Sequence, residues 1–385
     1  SVLGLPPEHP TLPSLLQGAG YRTALIGKWH LGYPPHFGPL KSGYDSFFGP
    51  MSGGVDYFTH CDSRGTHDLW VGEDEHHQDG YLTDLITDRA VDWLGQVAPA
   101  AAQGDQPFFL SLHYTAPHWP WETRDDAALA EEVKGNLFHL HGGNIETYRR
   151  MIHHMDEGIG RIMALLESQG LARDTLVVFT SDNGGERYSD TWPLIGKKMD
   201  LLEGGIRVPY IVRWPGRVPA GATTPQLAIT MDWAATFLDA AGVAPHPDYP
   251  LDGASLLRVL EAPSNTFERE LFWRMKFRRQ KAMRAGNWKW LSIEGREYLF
   301  NLAVDQGSAP TSQSAKPNAS PPCASGTGNG RRRCRRFRKT PKCRSSTARR
   351  TSRNRRNRGP VTTFPSCESR RVTHAARSMP PVPPT

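Results

Sequence analysis

Three stretches of the chain carry residue types that could handle an anionic group. The first is Ser181-Asp182-Asn183-Gly184-Gly185, which follows the apolar run Leu176-Val177-Val178-Phe179. A β-branched run bounded by turn residues is expected to form a buried strand of a parallel sheet. Open α/β sheets place their ligands at the carboxyl ends of such strands. Asp182 and Asn183 offer adjacent hard oxygen ligands, suited to Ca²⁺ or Mg²⁺ rather than a soft metal. Lys197-Lys198 follow, then Glu203-Gly204-Gly205. The second stretch is Gly27-Lys28-Trp29-His30, at the end of an expected strand over residues 21–26; Lys28 and His30 stand two apart, so both can project to one side. The third is Ala116-Pro117-His118-Trp119-Pro120, after an expected buried strand over residues 107–114. Its prolines restrain the backbone around His118. A cation with lysines converging on it suits a sulfate or phosphate ester. Each stretch also has an ordinary structural explanation, since Asp-Asn-Gly-Gly is a common turn and a lone His often packs in a core.

The elements that must position these residues are legible from periodicity. A short helix is expected from Thr11, closed by Gly18 and Gly20. Residues 81–97 have a helical stripe of Leu82, Leu85, Ile86, Ala90 and Trp93. Residues 146–169 form a second long amphipathic helix with Met151, Met155, Ile159, Ile162 and Leu166 inside, a stripe read as core. His153 and His154 diverge on that helix, cannot share a metal, and are expected to be solvated. Residues 33–78 are loop-rich, which in a compact domain points to function. A further helix is expected over residues 232–241. From Glu270, short strands divided by Gly286-Asn287 and Glu294-Gly295 suggest a small antiparallel sheet.

Charge divides the chain. Of the net +7, residues 307–385 carry 19 Lys+Arg against Glu368 alone, a net of +18, which leaves −11 on residues 1–306. Cys61 is the one cysteine before the tail, so that body contains no internal disulfide and its compartment stays open. No window approaches the ~18 apolar residues of a membrane span, and no membrane partner is expected.

The segments GYRTALIGKWHLG (residues 20–32), APHWP (116–120), SDNGG (181–185) and GKKMDLLEGGIRVP (196–209) occur in the order and spacing of type I sulfatases. The chain resembles an arylsulfatase of the alkaline-phosphatase-like superfamily over roughly residues 5–306. YDSFFGPMSGGVDYFTH (44–60) is similar to the arylsulfatase A and galactosamine-6-sulfatase branch. The resemblance implies an α/β fold with a mixed, mostly parallel sheet sandwiched by helices and a small antiparallel C-terminal subdomain. It implies that Lys28, His30, His118 and Lys198 serve catalysis and sulfate binding, and that Asp182 and Asn183 ligate a cation, Ca²⁺ or alternatively Mg²⁺. The substrate implied is a small-molecule or glycan sulfate ester, with phosphate esters or phosphonates as the alternative within the superfamily.

The departures are as informative. The family's nucleophile is a formylglycine made in a C-x-P-S-R segment before GKWHLG, and no such segment is present; paired aspartates near the family's N-terminus are also absent. Cys61-Asp62-Ser63-Arg64 lacks the proline and follows GKWHLG. The expected organisation is therefore a catalytic domain over residues 1–269 lacking its nucleophile segment, the antiparallel subdomain over 270–306, and a disordered Arg-rich tail over 307–385. A frameshift after Gln306 accounts for the tail, because suitable codons read in another frame give the family's usual continuation. The rival account is a nucleic-acid-binding arm; no nucleic acid is expected on the body.

Overall fold

The computed structural model describes residues 3–305. The Arg-rich tail, with its frameshift and nucleic-acid readings, lies outside the described residues.

The chain opens with α1 (Leu12–Gly18), whose start is set by Thr11: its hydroxyl accepts from the Ser14 amide while Ser14 caps the Thr11 amide in return. It leads into β1 (Arg22–Gly27), followed by β2 (Ser46–Gly49), β3 (Trp70–Val71) and β4 (Asp74–Glu75). The long helix α2 (Leu82–Ala102) then delivers β5 (Phe108–His113). These strands form one five-stranded sheet in the order β4-β3-β2-β1-β5. β1 runs parallel to both β2 and β5, while β2–β3 and β3–β4 are antiparallel, so the sheet is mixed.

Alternation along the strands decides which helix covers which face. Ala24, Ile26 and Phe48 join the core of α2 and α4 (Ile145–Ser168), whose inner residues include Ile86, Trp93, Met151 and Ile162. The intervening Leu25 and Phe47 belong to the opposite face with Phe109, which packs edge-on against Phe237 of α6 (Asp232–Ala241). The two stripes anticipated from periodicity are thus the two halves of one helical layer. α4 starts at Asn144, whose side chain accepts from the amides of Glu146 and Thr147. α3 (Ala127–Val133) lies in the connection between β5 and α4. On α4, His153 is exposed as expected but His154 is not: it is buried, edge-on to Tyr81. A helix stripe four residues wide reaches position 154 as well as 151 and 158.

Two expectations about strands need correction. β6 (Val177–Thr180) does not join the parallel sheet; it pairs antiparallel with β7 (Tyr210–Arg213) in a sheet of its own, and Phe179 is exposed. β5 is the sheet's edge, and its residues are half-buried or exposed rather than enclosed. The cause is shared: among the described residues no strand lies between β5 and β6, and a cleft of ≈ 1620 Å³ is lined by both. An apolar run specifies burial but not which neighbour provides it.

α5 (Glu203–Ile206) precedes β7, and α7 (Leu257–Glu261) follows α6. The last elements, β8 (Glu270–Met275), β9 (Gln280–Ala285), β10 (Trp288–Ile293) and β11 (Arg296–Asn301), form an antiparallel sheet in the order β11-β10-β9-β8. Its inner residues Ala282, Leu291, Ile293 and Phe300 pack on Leu201 and Leu202. Among the described residues, no helix is long and apolar enough to cross a membrane.

Candidate anion-binding cleft

Lys28, His30, His118, Asp182, Asn183 and Lys198 all line the cleft between β5 and β6. Each arrives there for a local reason. β1 ends at Gly27, whose φ of +113° and close approach to the His113 carbonyl exclude a side chain. The strand pairing continues one step further, with the Lys28 amide donating to the His113 carbonyl, so Lys28 leaves the sheet at its carboxyl edge. Beyond it, His30 adopts a positive φ of 64°, and its ring packs against Gly53, where a Cβ would lie 2.4 Å from the ring. Gly54 sits likewise beside the His118 ring. The pair Gly53-Gly54 therefore forms a floor for both histidines, a role that its position in a Gly-rich loop only hinted at.

His118 is held by its neighbours. Its Nδ1 lies 2.8 Å from the Trp119 carbonyl, which can only accept, so Nδ1 carries the hydrogen. Nε2 is left with its lone pair, 3.2 Å from the Lys198 ammonium. Burial first, and then the positive charges of Lys198 and Lys28, push the His118 pKa down to about 4. His30 is lowered by the same causes, burial and the two lysines. The Lys28 ammonium is lowered by burial and by Lys198, against the opposing pull of Asp182. The two lysines thus act on each other and on the two histidines as like charges, with Asp182 opposing them.

The segment that presents Lys198 is clamped from behind. The Lys198 amide donates to the Gly185 carbonyl, and the Gly184 amide to the Gly205 carbonyl. A Cβ on Gly184 would lie 1.9 Å from the Gly204 carbonyl oxygen, so only glycine lets the two loops meet. Lys198 is half-buried in the cleft wall, whereas Lys197 is exposed and outside it. Behind them, Glu203 is buried and paired with Lys289 of β10 at 2.7 Å and Arg284 of β9 at 3.3 Å. Gln280 adds a bond from its side chain to the Met199 carbonyl and accepts from the Leu201 amide. The C-terminal sheet therefore anchors the loop that carries Lys198.

A second buried network underlies His118. The Tyr57 hydroxyl donates to the His118 carbonyl, and the Tyr57 amide donates to Glu122 Oε2. Asp56 Oδ1 accepts from the amides of Phe58 and Thr59 and from the Thr59 hydroxyl. Burial, and next the charge of Asp56, push the Glu122 pKa up to about 9. Nothing in the sequence marked Glu122 or Asp56, since carboxylates in a polar loop read as solvated. Cys61 is buried away from the cleft lining.

Asp182 and Asn183 fit the implied cation only in part. They bring one carboxylate and one amide oxygen, the Asn183 nitrogen being turned to the Gly184 carbonyl. Ca²⁺ takes about six to eight oxygens, and the neighbouring Lys28 ammonium competes for Asp182. The described residues therefore complete no Ca²⁺ or Mg²⁺ sphere here.

Comparisons with known proteins identify the family. The family model described as Sulfatase matches residues 3–243. N-acetylgalactosamine-6-sulfatase of Canis lupus familiaris is 32% identical over 279 residues, covering 67% of this chain and 50% of that protein. The Sus scrofa protein of the same name is 33% identical over 294 residues, with 71% and 52% covered. Among solved structures, Ps i-CgsB superposes with a TM-score of 0.68 at 28% identity, covering 80% of this chain and 70% of that one. The chain belongs to the sulfatase family. It spans about half the length of the curated relatives it matches.

Proposed function

We propose that the cleft recognises the sulfate group of a sulfate ester, and that the parent activity is sulfuric ester hydrolysis. The observation that carries this reading is the convergence of Lys28 and Lys198 with His30 and His118 on one cleft, with Lys198 bonded to His118. Two ammonium groups supply charge where a sulfuryl group carries and redistributes its own. The proton on His118 Nδ1 is fixed by the Trp119 carbonyl, so Nε2 is the atom that faces the ester. An anion between the lysines would offset the charges that hold His118 neutral, raising its readiness to carry a proton to the leaving oxygen.

Asp182 and Asn183 would be the residues that touch a divalent cation, Ca²⁺ or Mg²⁺; such an ion supplies further charge neutralisation at the sulfate oxygens. A formylglycine would supply the nucleophile in the family. Residues 1–385 contain no C-x-P-S-R, so this chain alone is expected to bind an aryl sulfate without turning it over. The substrate class is a sulfated sugar or small aryl sulfate. A solved relative, Ps i-CgsB, is described in complex with k-i-k-neocarrahexaose, which supports the sugar.

The test is competitive dialysis of 4-nitrocatechol sulfate against inorganic sulfate and phosphate. Displacement by sulfate at lower concentration than by phosphate is expected. Preferential displacement by phosphate would move the assignment to phosphate esters or phosphonates, and multiple turnovers above a Lys28→Ala blank would overturn the expectation of inactivity.

A further inference from the structure

A second cluster of ligating side chains lies on the opposite edge of the main sheet, and none of its members lines the anion cleft. We propose that His67, Glu75 and His77 form a surface site for a borderline divalent transition metal, with Zn²⁺ as its type. This inference is independent of the sulfate-ester reading.

The β3–β4 hairpin builds the site. Trp70 pairs with Glu75, and the His76 amide donates to the Leu69 carbonyl, so the two chain passes stay together beyond the strands. Glu75 ends β4, and His77, two residues beyond it, brings its ring to the Glu75 carboxylate. His67 comes from the facing pass. One ligating atom from each of the three residues lies within 4.8 Å of the others, the one such trio of His, Cys, Asp or Glu among the described residues. His77 Nε2 is 3.5 Å from Glu75 Oε1, and the His67 and His77 rings stack with centroids 4.0 Å apart. Glu75 and His77 are both exposed, so their side chains can turn toward one ion beside His67.

His67 is already oriented. Its Nε2 lies 2.8 Å from the His76 carbonyl oxygen. A carbonyl only accepts, so Nε2 carries the hydrogen and Nδ1 keeps its lone pair. An imidazole whose second nitrogen donates to a backbone carbonyl is the usual outer-shell arrangement of a metal-bound histidine. Two imidazoles and one carboxylate select Zn²⁺ and its neighbours over Ca²⁺ or Mg²⁺, which prefer oxygen alone. Three protein ligands leave a fourth position for water. A bound ion would tie the two passes of a short edge hairpin together and raise the stability of the folded chain by mass action.

The test is a calorimetric Zn²⁺ titration of the full chain with Cys323, Cys334, Cys343 and Cys367 replaced by serine, which removes them as competing ligands. The parent is compared with His77→Ala, Glu75→Gln and the exposed control His141→Ala. One saturable site is expected in the parent, at least about tenfold weaker in His77→Ala and Glu75→Gln, and unchanged in His141→Ala. Millimolar Ca²⁺ should not displace the ion. Circular dichroism of each variant checks that the fold is intact, and substitution at two exposed positions should leave it so. The proposal is overturned if the parent shows no saturable uptake, or if His77→Ala and Glu75→Gln bind Zn²⁺ as the parent does.

Discussion

Replacing Glu122 by glutamine should flatten the alkaline side of the stability profile. Glu122 is fully buried, its Oε2 accepts from the Tyr57 amide, and its Oε1 and Asp56 Oδ2 have no other hydrogen-bonding partner. A proton shared between these two carboxyl groups would satisfy both leftover oxygens. Burial and the Asp56 charge raise the Glu122 pKa from 4.5 to about 9. For an acid raised in the folded state, the folded chain holds a proton that the unfolded chain has released throughout the window between those values. Stability is therefore highest below the unfolded pKa and falls as pH rises toward the folded one. The slope is about 1.4 kcal/mol per pH unit, so from pH 7 to pH 8.5 the parent should lose about 2 kcal/mol that the variant keeps. In Glu122→Gln the new side-chain amide can donate to Asp56 while its oxygen still accepts from the Tyr57 amide, which preserves the packing. The assay is urea unfolding of parent and variant at pH 7, 7.75 and 8.5, reading the difference between them so that groups common to both cancel. Parallel profiles, within about 0.5 kcal/mol across the window, would refute the shared proton.

Three further outcomes follow from the site's scaffolding. Gly184→Ala should separate the 181–185 loop from residues 204–205, since its Cβ would meet the Gly204 carbonyl at 1.9 Å; aryl sulfate binding should weaken with a stability loss of about 1–3 kcal/mol in chemical denaturation. Lys289→Met leaves Glu203 buried with Arg284 as its remaining partner; a loss of about 3–5 kcal/mol is expected from the same measurement, and a neutral result would mean that the pair does not anchor the Lys198 loop. Calorimetric titration with Ca²⁺ should show no tight binding at Asp182 and Asn183, and a sub-micromolar site abolished by Asp182→Asn would show that further ligands had been missed.

What the sequence disclosed and what it hid divide along physical lines. Lys28, His30 and His118 stood out because they follow β1 and β5, neighbouring strands of one sheet, whereas Asp182 and Lys198 were singled out by their place in the family's segment pattern, since β6 lies in a sheet of its own. The stripes of α2 and α4 were legible because a 3.6-residue period survives any tertiary context. The partner of β6 was not, because an apolar run fixes burial without fixing its neighbour. Nor were Glu122, Lys289 and His154, which a polarity pattern places in solvent. Their burial depends on partners distant in sequence: Asp56 for Glu122, Glu203 for Lys289 and Tyr81 for His154. Gly53 and Gly54 belong to the same class, since the histidine rings that require them lie over 20 residues away and a Gly-rich loop does not name them.

The central claim, that Lys28, His118 and Lys198 form a sulfate-recognising cleft, is tested most directly by comparing two adjacent lysines. Equilibrium dialysis of 4-nitrocatechol sulfate should give binding about 10- to 100-fold weaker in Lys198→Ala, the worth of a charge-assisted hydrogen bond of about 1.5–3 kcal/mol. Lys197→Ala, one position away but exposed and outside the cleft, should bind as the parent does. Equal losses in the two variants would reduce the effect to net charge, and no loss in Lys198→Ala would contradict the account.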